Sequence, residues 1–143
     1  MATTTATLTL STDMLSSPIT INAASTLMKA DYNVGLELLE SGRGIIAEGD
    51  ASKTAEFGLA TALGNDKATK VFLVNKATDP TYYIDVDIHD TNLGRLYAGD
   101  WMFIPWSQTD VTAEIVIEAE PAGASIPYEF AVFKEPETLV AHS

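Results

Sequence analysis

Residues 95–110 read RLYAGDWMFIPWSQTD, and both tryptophans of the chain, Trp101 and Trp106, fall inside this stretch. Its middle, Trp101-Met102-Phe103-Ile104-Pro105-Trp106, is apolar at every position. A strand with one wet face alternates apolar with polar side chains, so this segment must meet two dry surfaces. Extended, it sets Trp101, Phe103 and Pro105 on one face and Met102, Ile104 and Trp106 on the other. One face can fill a core. The other needs cover, because a contiguous apolar patch marks an interface. Pro105 lacks an N–H and belongs at a strand end or edge. The segment reads as an edge-proximal strand whose second face meets another subunit or another layer of the same chain. A homo-oligomer is the expectation, with Leu96, Tyr97, Trp101, Phe103 and Trp106 divided between core and contact. Exchanging Trp106 for Ala is then expected to lower association more than fold stability.

Period-2 patterning recurs on both sides of this segment. Ala6, Leu8 and Leu10 alternate with Thr5, Thr7 and Thr9, a threonine-rich strand pattern. Ile19 to Asn22 begins a second short strand. From Asn33 to Glu40 a short helix with Leu36 and Leu39 competes with irregular structure, and Ser41-Gly42-Arg43-Gly44 reads as a turn. GIIAEG (44–49) reads as a short strand, TAEFGLATAL (54–63) as a strand or helical turn, and GNDK (64–67) as a turn. Val71 to Val74 is a continuous apolar run, the pattern of a strand covered on both faces. After Asp79-Pro80, Tyr82, Ile84, Val86 and Ile88 oppose Tyr83, Asp85, Asp87 and His89, and DTNLG (90–94) reads as a turn. Ile115, Ile117 and Ala119 alternate with Glu114, Val116, Glu118 and Glu120, and IPYEFAVFKE (126–135) supplies the last strand. The expected fold is all-β: an antiparallel β-sandwich or jelly roll of about eight to ten short strands. One domain over residues 1–136 is expected, with a mobile tail over 137–143.

Composition narrows the function classes. With 8 Lys and Arg against 20 Asp and Glu, the net charge is −12. There is no basic cluster to neutralise nucleic-acid phosphates or anionic lipid, so neither partner is expected. Hydrophobic residues make up 46% of the chain, too many for a disordered acidic tail. The absence of cysteine rules out disulfides and thiolate metal sites and suits a reducing cytoplasm. The start, MATTTATLTLSTD, lacks the basic and apolar regions of a secretory signal, and no stretch approaches the roughly 18 apolar residues of a membrane span. A soluble protein is expected.

Catalytic chemistry finds little footing. Of two histidines, His142 sits in the tail, leaving His89 as the one candidate general base, with no G-x-S-x-G nucleophile beside it. No pair of acids stands out as a glycosidase couple. Gly42-Arg43-Gly44 lacks the spacing and the Lys-Ser/Thr of a phosphate loop. The chain is not expected to be an enzyme or to hold a cofactor. Asp85, Asp87 and His89 share a strand face and could ligate a divalent metal, although a wet sheet face is the commoner meaning of that pattern. Trp101, Trp106, Tyr97, Tyr82 and Tyr83 are candidates for stacking on sugars, as in a carbohydrate-binding module.

The run Leu93 to Trp106 resembles a segment of small virion proteins of tailed bacteriophages, especially phages of marine and freshwater cyanobacteria. KVFLVNKATDPTYYIDVDI (70–88), IPYEFAVFKE (126–135) and the threonine-rich start are similar to segments of the same proteins. The resemblance is strongest over Lys70 to Glu135, about half the chain, and brings no catalytic motif. It implies a capsid decoration or cement protein, often trimeric, made in the host cytoplasm and seated on the major capsid protein at the virion surface. The alternative it leaves open is a tail, neck or head-fibre component that touches host glycans.

Overall fold

The computed structural model describes residues 4–12, 19–27, 35–47, 69–88, 91–106 and 115–135. The strands are β1 (Thr5–Thr12), β2 (Ile19–Thr26), β3 (Glu37–Ala47), β4 (Thr69–Asn75), β5 (Tyr83–Ile88), β6 (Thr91–Tyr97), β7 (Trp101–Pro105), β8 (Ile115–Glu120) and β9 (Ser125–Lys134). All lie in antiparallel sheets, so the all-β expectation holds. No helix among the described residues is long and apolar enough to cross a membrane.

The chain divides into two compact units, Met1–Glu37 with Glu135–Ser143, and Leu38–Lys134. In the first, β1 and β2 pair in register from Thr5 opposite Thr26 to Thr12 opposite Ile19. The alternation read in β1 is present over Thr5 to Thr9, where Ala6 and Leu8 are half-buried and the threonines exposed, but it does not extend to Leu10, which is exposed. Leu27 donates its N–H to Thr4, and Leu36 donates to Leu27. The Thr4 hydroxyl donates to the Leu36 carbonyl at 3.0 Å.

The second unit is a sandwich of two sheets, one in the order β3-β9-β4-β7 and one in the order β6-β5-β8. Their inner faces share one core. Val71 and Leu73 of β4 and Tyr128, Phe130 and Val132 of β9 enter it from the larger sheet. Ile84 and Val86 of β5 and Ile115, Ile117 and Ala119 of β8 enter it from the smaller. Each fully buried Ile, Leu or Val contributes roughly 1.5–3 kcal/mol, so this row of side chains is the main source of stability. The tail read over 137–143, the segment 54–63, the GNDK turn and His89 lie outside the described residues.

Three local readings are corrected. Residues 41–44 are the middle of β3, not a turn, and the short helix does not form over residues 37–40, which are strand. The glycines are there for packing: a Cβ on Gly44 would come within 2.5 Å of the Tyr128 hydroxyl, and one on Gly42 within 2.7 Å of the Phe130 ring. Both aromatic rings lie across bare backbone. Likewise Thr91 to Gly94 is strand, not turn, because a bulge lets β6 pair on: Val86 faces Gly94 while Asp87 faces Asn92, which leaves Leu93 over.

Asn75, fully buried, joins the two sheets at one end of the sandwich. Its N–H donates to the Asp100 carbonyl at 3.0 Å, and its own carbonyl accepts from Gly99 N–H at 3.0 Å. Its side-chain amide donates to the Leu96 carbonyl at 2.9 Å and, more weakly, to the Tyr82 carbonyl at 3.4 Å. The side-chain oxygen accepts from Ala77 N–H at 2.8 Å. Gly99, at φ +86°, makes the turn by which β6 of one sheet becomes β7 of the other. Replacing Asn75 by Ala strips partners from several enclosed backbone groups. It is expected to lower the unfolding free energy by roughly 2–4 kcal/mol, read by urea titration. A loss within about 0.5 kcal/mol, the range of ordinary surface changes, would contradict this role.

Candidate functional site

The tryptophan-rich segment, residues 95–106, spans both sheets. Leu96 and Tyr97 end β6, the chain turns at Ala98–Asp100, and Trp101 and Phe103 lie on β7, with Trp106 one residue beyond it. The turn is fixed by Asp100 N–H donating to the Tyr97 carbonyl at 2.8 Å and Tyr97 N–H donating to the Asp100 carboxylate at 2.9 Å.

The five candidate contact residues separate by face. Leu96 lies opposite Ile84 and packs partly against the core. Tyr97 is exposed on the outer face of the smaller sheet, 5.3 Å from Tyr83 between ring centroids. Trp101 and Phe103 share the outer face of the larger sheet. Trp106 is 4% exposed and belongs to the core, against 48% for Trp101. This corrects the expectation for Trp106: a side chain that nearly buried presents almost nothing to a partner, and its removal acts on the fold.

The two outer faces of the sandwich differ in character. On the smaller sheet, Asp85 faces Arg95 and Glu118, and Tyr83 faces Tyr97 and Glu120. Arg95 Nε donates to the Asp85 carboxylate at 3.2 Å, and its guanidinium lies 4.5 Å from the centre of the Tyr83 ring. The Tyr97 side chain first, then Asp85, hold Arg95 above its ordinary pKa. Asn92 donates to Asp87 at 2.9 Å. Asp85 and Asp87 are thus engaged with neighbours on this acidic face. Among the described residues, no group of three or more His, Asp or Glu is placed to hold a metal ion.

On the larger sheet the outer face is aromatic. Phe72 lies opposite Phe103 on one side and Ala131 on the other, and Val74 lies opposite Trp101 and Glu129. Phe72 and Trp101 have ring centroids 6.3 Å apart, as do Phe103 and Phe133, the latter pair edge to face. Such pairs contribute about 0.5–1.5 kcal/mol beyond their buried area. Beside β7, Lys70 lies opposite Pro105; across the sheet, Arg43 Nε meets the Glu129 carboxylate at 3.0 Å. Arg43 and Lys76 also rim an open cleft of about 290 Å³ floored by Ile45, Pro127 and Tyr128. Sequence reading found Trp101 and Phe103 but not Phe72 and Phe133, which join them only through strand pairing. Their signal was the second dry face of the apolar runs Val71–Val74 and Phe130–Phe133.

No protein-family model matches the chain, and no curated protein matches it.

Trp101 and Trp106 should separate cleanly on substitution. Trp106→Ala is expected to cost about 3–5 kcal/mol of unfolding free energy, and Trp101→Ala less than about 1 kcal/mol. Denaturant titration of both variants measures this, and equal losses would place the two rings in equivalent surroundings.

Proposed function

We propose that this chain is a structural protein of a tailed-bacteriophage virion. It binds the major capsid protein as a homo-oligomer and cements the shell from its outer surface, having been made in the host cytoplasm. Its work is binding rather than catalysis. The observation that carries the binding role is the contrast between the faces of the sandwich: an aromatic outer face on the larger sheet against an outer face bearing Asp85, Asp87, Glu118 and Glu120 on the smaller. A chain of net charge −12 gains solubility from those acids. Phe72, Trp101, Phe103 and Phe133 in one patch give a partner something to cover. The phage assignment draws on the resemblance of Lys70 to Glu135 to small virion proteins, and this half of the chain contains the aromatic face.

A cement protein acts by mass action: whatever binds the assembled shell and not its separated subunits shifts the balance toward the shell. A stable contact of this kind buries about 1,200–2,000 Å² in total, of which a single aromatic patch supplies the centre and polar surroundings the rim.

The test is the copy number of the chain in purified virions, by quantitative mass spectrometry against the major shell protein. A number comparable with the shell protein, or with the count of its local three-fold positions, is the expected result. A handful of copies would overturn shell decoration in favour of the neck, tail or a head fibre that touches host glycans. Absence from the particle would overturn the virion reading altogether.

A further inference from the structure

Among the described residues, the second unit has four sheet edges, β3 and β7 in one sheet and β6 and β8 in the other. Exposed edges invite pairing with other chains unless charge, bulges or proline blunt them. Three of the four carry such devices. β3 bears Arg43, whose side chain is 83% exposed, β6 bears Arg95 and the bulge at Leu93, and β8 bears Glu118 and Glu120. β7, Trp-Met-Phe-Ile-Pro, has no charged residue, and its one blunting device is Pro105 at its end.

The phase of the hydrogen bonds shows what this edge offers. Trp106 N–H donates to the Thr69 carbonyl at 3.1 Å, and the Asp100 carbonyl accepts from Asn75 N–H at 3.0 Å. In an antiparallel pair the residues that bond to the neighbour alternate with those that do not. Positions 100, 102, 104 and 106 therefore face β4. Trp101, Phe103 and Pro105 direct their backbone groups to the open side, two N–H donors and three carbonyls in all.

We propose that β7 pairs with β7 of a second copy of this chain, antiparallel across a two-fold axis at Phe103, to make one sheet continuous through both subunits. In that register each Phe103 N–H donates to the other copy's Phe103 carbonyl, and each Trp101 N–H donates to the other copy's Pro105 carbonyl. Every free donor of the edge is used. The N–H that Pro105 lacks falls opposite the Trp101 carbonyl, so no donor is left over. The strand is uncharged along its whole length, and a second β7 is an uncharged strand of matching length. Charge at the ends agrees with this orientation: the antiparallel arrangement brings the Asp100 end of each strand to the end where Lys70 lies beside Pro105. A parallel arrangement would set like ends together. The contact is isologous, as two-fold interfaces are, and it joins the two aromatic faces side by side.

This inference goes beyond the capsid reading and stands without it. It gives a dimer in solution, where the resemblance implies a trimer, and mass separates the two. Sedimentation velocity of the full chain over a range of concentrations is the experiment, with Phe103→Lys and Trp101→Lys as edge variants and Ile45→Lys on the β3 edge as control. Ile45 is 65% exposed, so the control keeps the fold. The expected result is a dimer whose dissociation constant rises at least tenfold in both edge variants and stays within twofold in the control. Phe103→Lys sets two ammonium groups face to face across the axis, where like charges repel. Trp101→Lys alters a half-exposed position and decides the matter if Phe103→Lys fails to fold. A monomer at all concentrations, a trimer, or a dimer indifferent to Trp101→Lys would overturn the proposal. None of these results depends on the copy number in virions, so the two readings fail separately.

Discussion

A single buried amide holds the corner on which the sandwich turns. Asn75 ends β4, and its backbone and side chain together engage Asp100, Gly99, Leu96, Tyr82 and Ala77. Those partners mark the crossing from β4 to β5 and from β6 to β7, so one residue ties both passages between the sheets. An aliphatic side chain here would leave enclosed carbonyls without donors, a cost of about 1–3 kcal/mol per group. Asp79 steadies the loop after it by accepting from the Thr81 N–H at 2.9 Å and hydroxyl at 2.6 Å, bonds that hold its carboxyl below its ordinary pKa. With the corner set, the register of β7 on β4 follows. Trp101 and Phe103 then face outward, and Met102 and Trp106 turn to the core.

That register explains how a strand can be apolar on both sides. The inner side chains extend the core already filled by Val71, Leu73 and Tyr128. The outer ones join Phe72 and Phe133 into a surface that the smaller sheet, with its Asp85, Glu118 and Arg95, does not have. Two sheets built on the same alternation therefore present opposite chemistry to the outside. The aromatic face and the uncharged edge of β7 meet at Trp101 and Phe103, so shell binding and subunit pairing would draw on adjoining parts of one strand.

Much of the fold was legible from period alone. Ile84 and Val86, and Ile115, Ile117 and Ala119, were assigned to one face by alternation, and all are buried. Legibility failed where a residue's reason lay far along the chain. Gly42 and Gly44 look like turn punctuation until Tyr128 and Phe130 lie over them. Asn75 reads as the polar end of an apolar run, because Leu96 and Tyr82, which need its amide, are remote in sequence. Alternation sets Trp106 and Trp101 on opposite faces, but which of the two faces turns inward is decided only by the pairing of β7 on β4. The aromatic face was half visible for the same reason, since only pairing brings β4 and β9 beside β7.

The claim that links fold to function is that the larger sheet ends at β7 with an edge free to pair. Amide hydrogen exchange, resolved by residue in dilute protein, reads it directly. Slow exchange is expected at Met102 and Ile104, bonded to β4, and fast exchange at Trp101 and Phe103, which become slow as the chain associates. Equal protection at all four amides in the dilute, unassociated chain would mean that the chain's own residues cover the edge, and would contradict the claim.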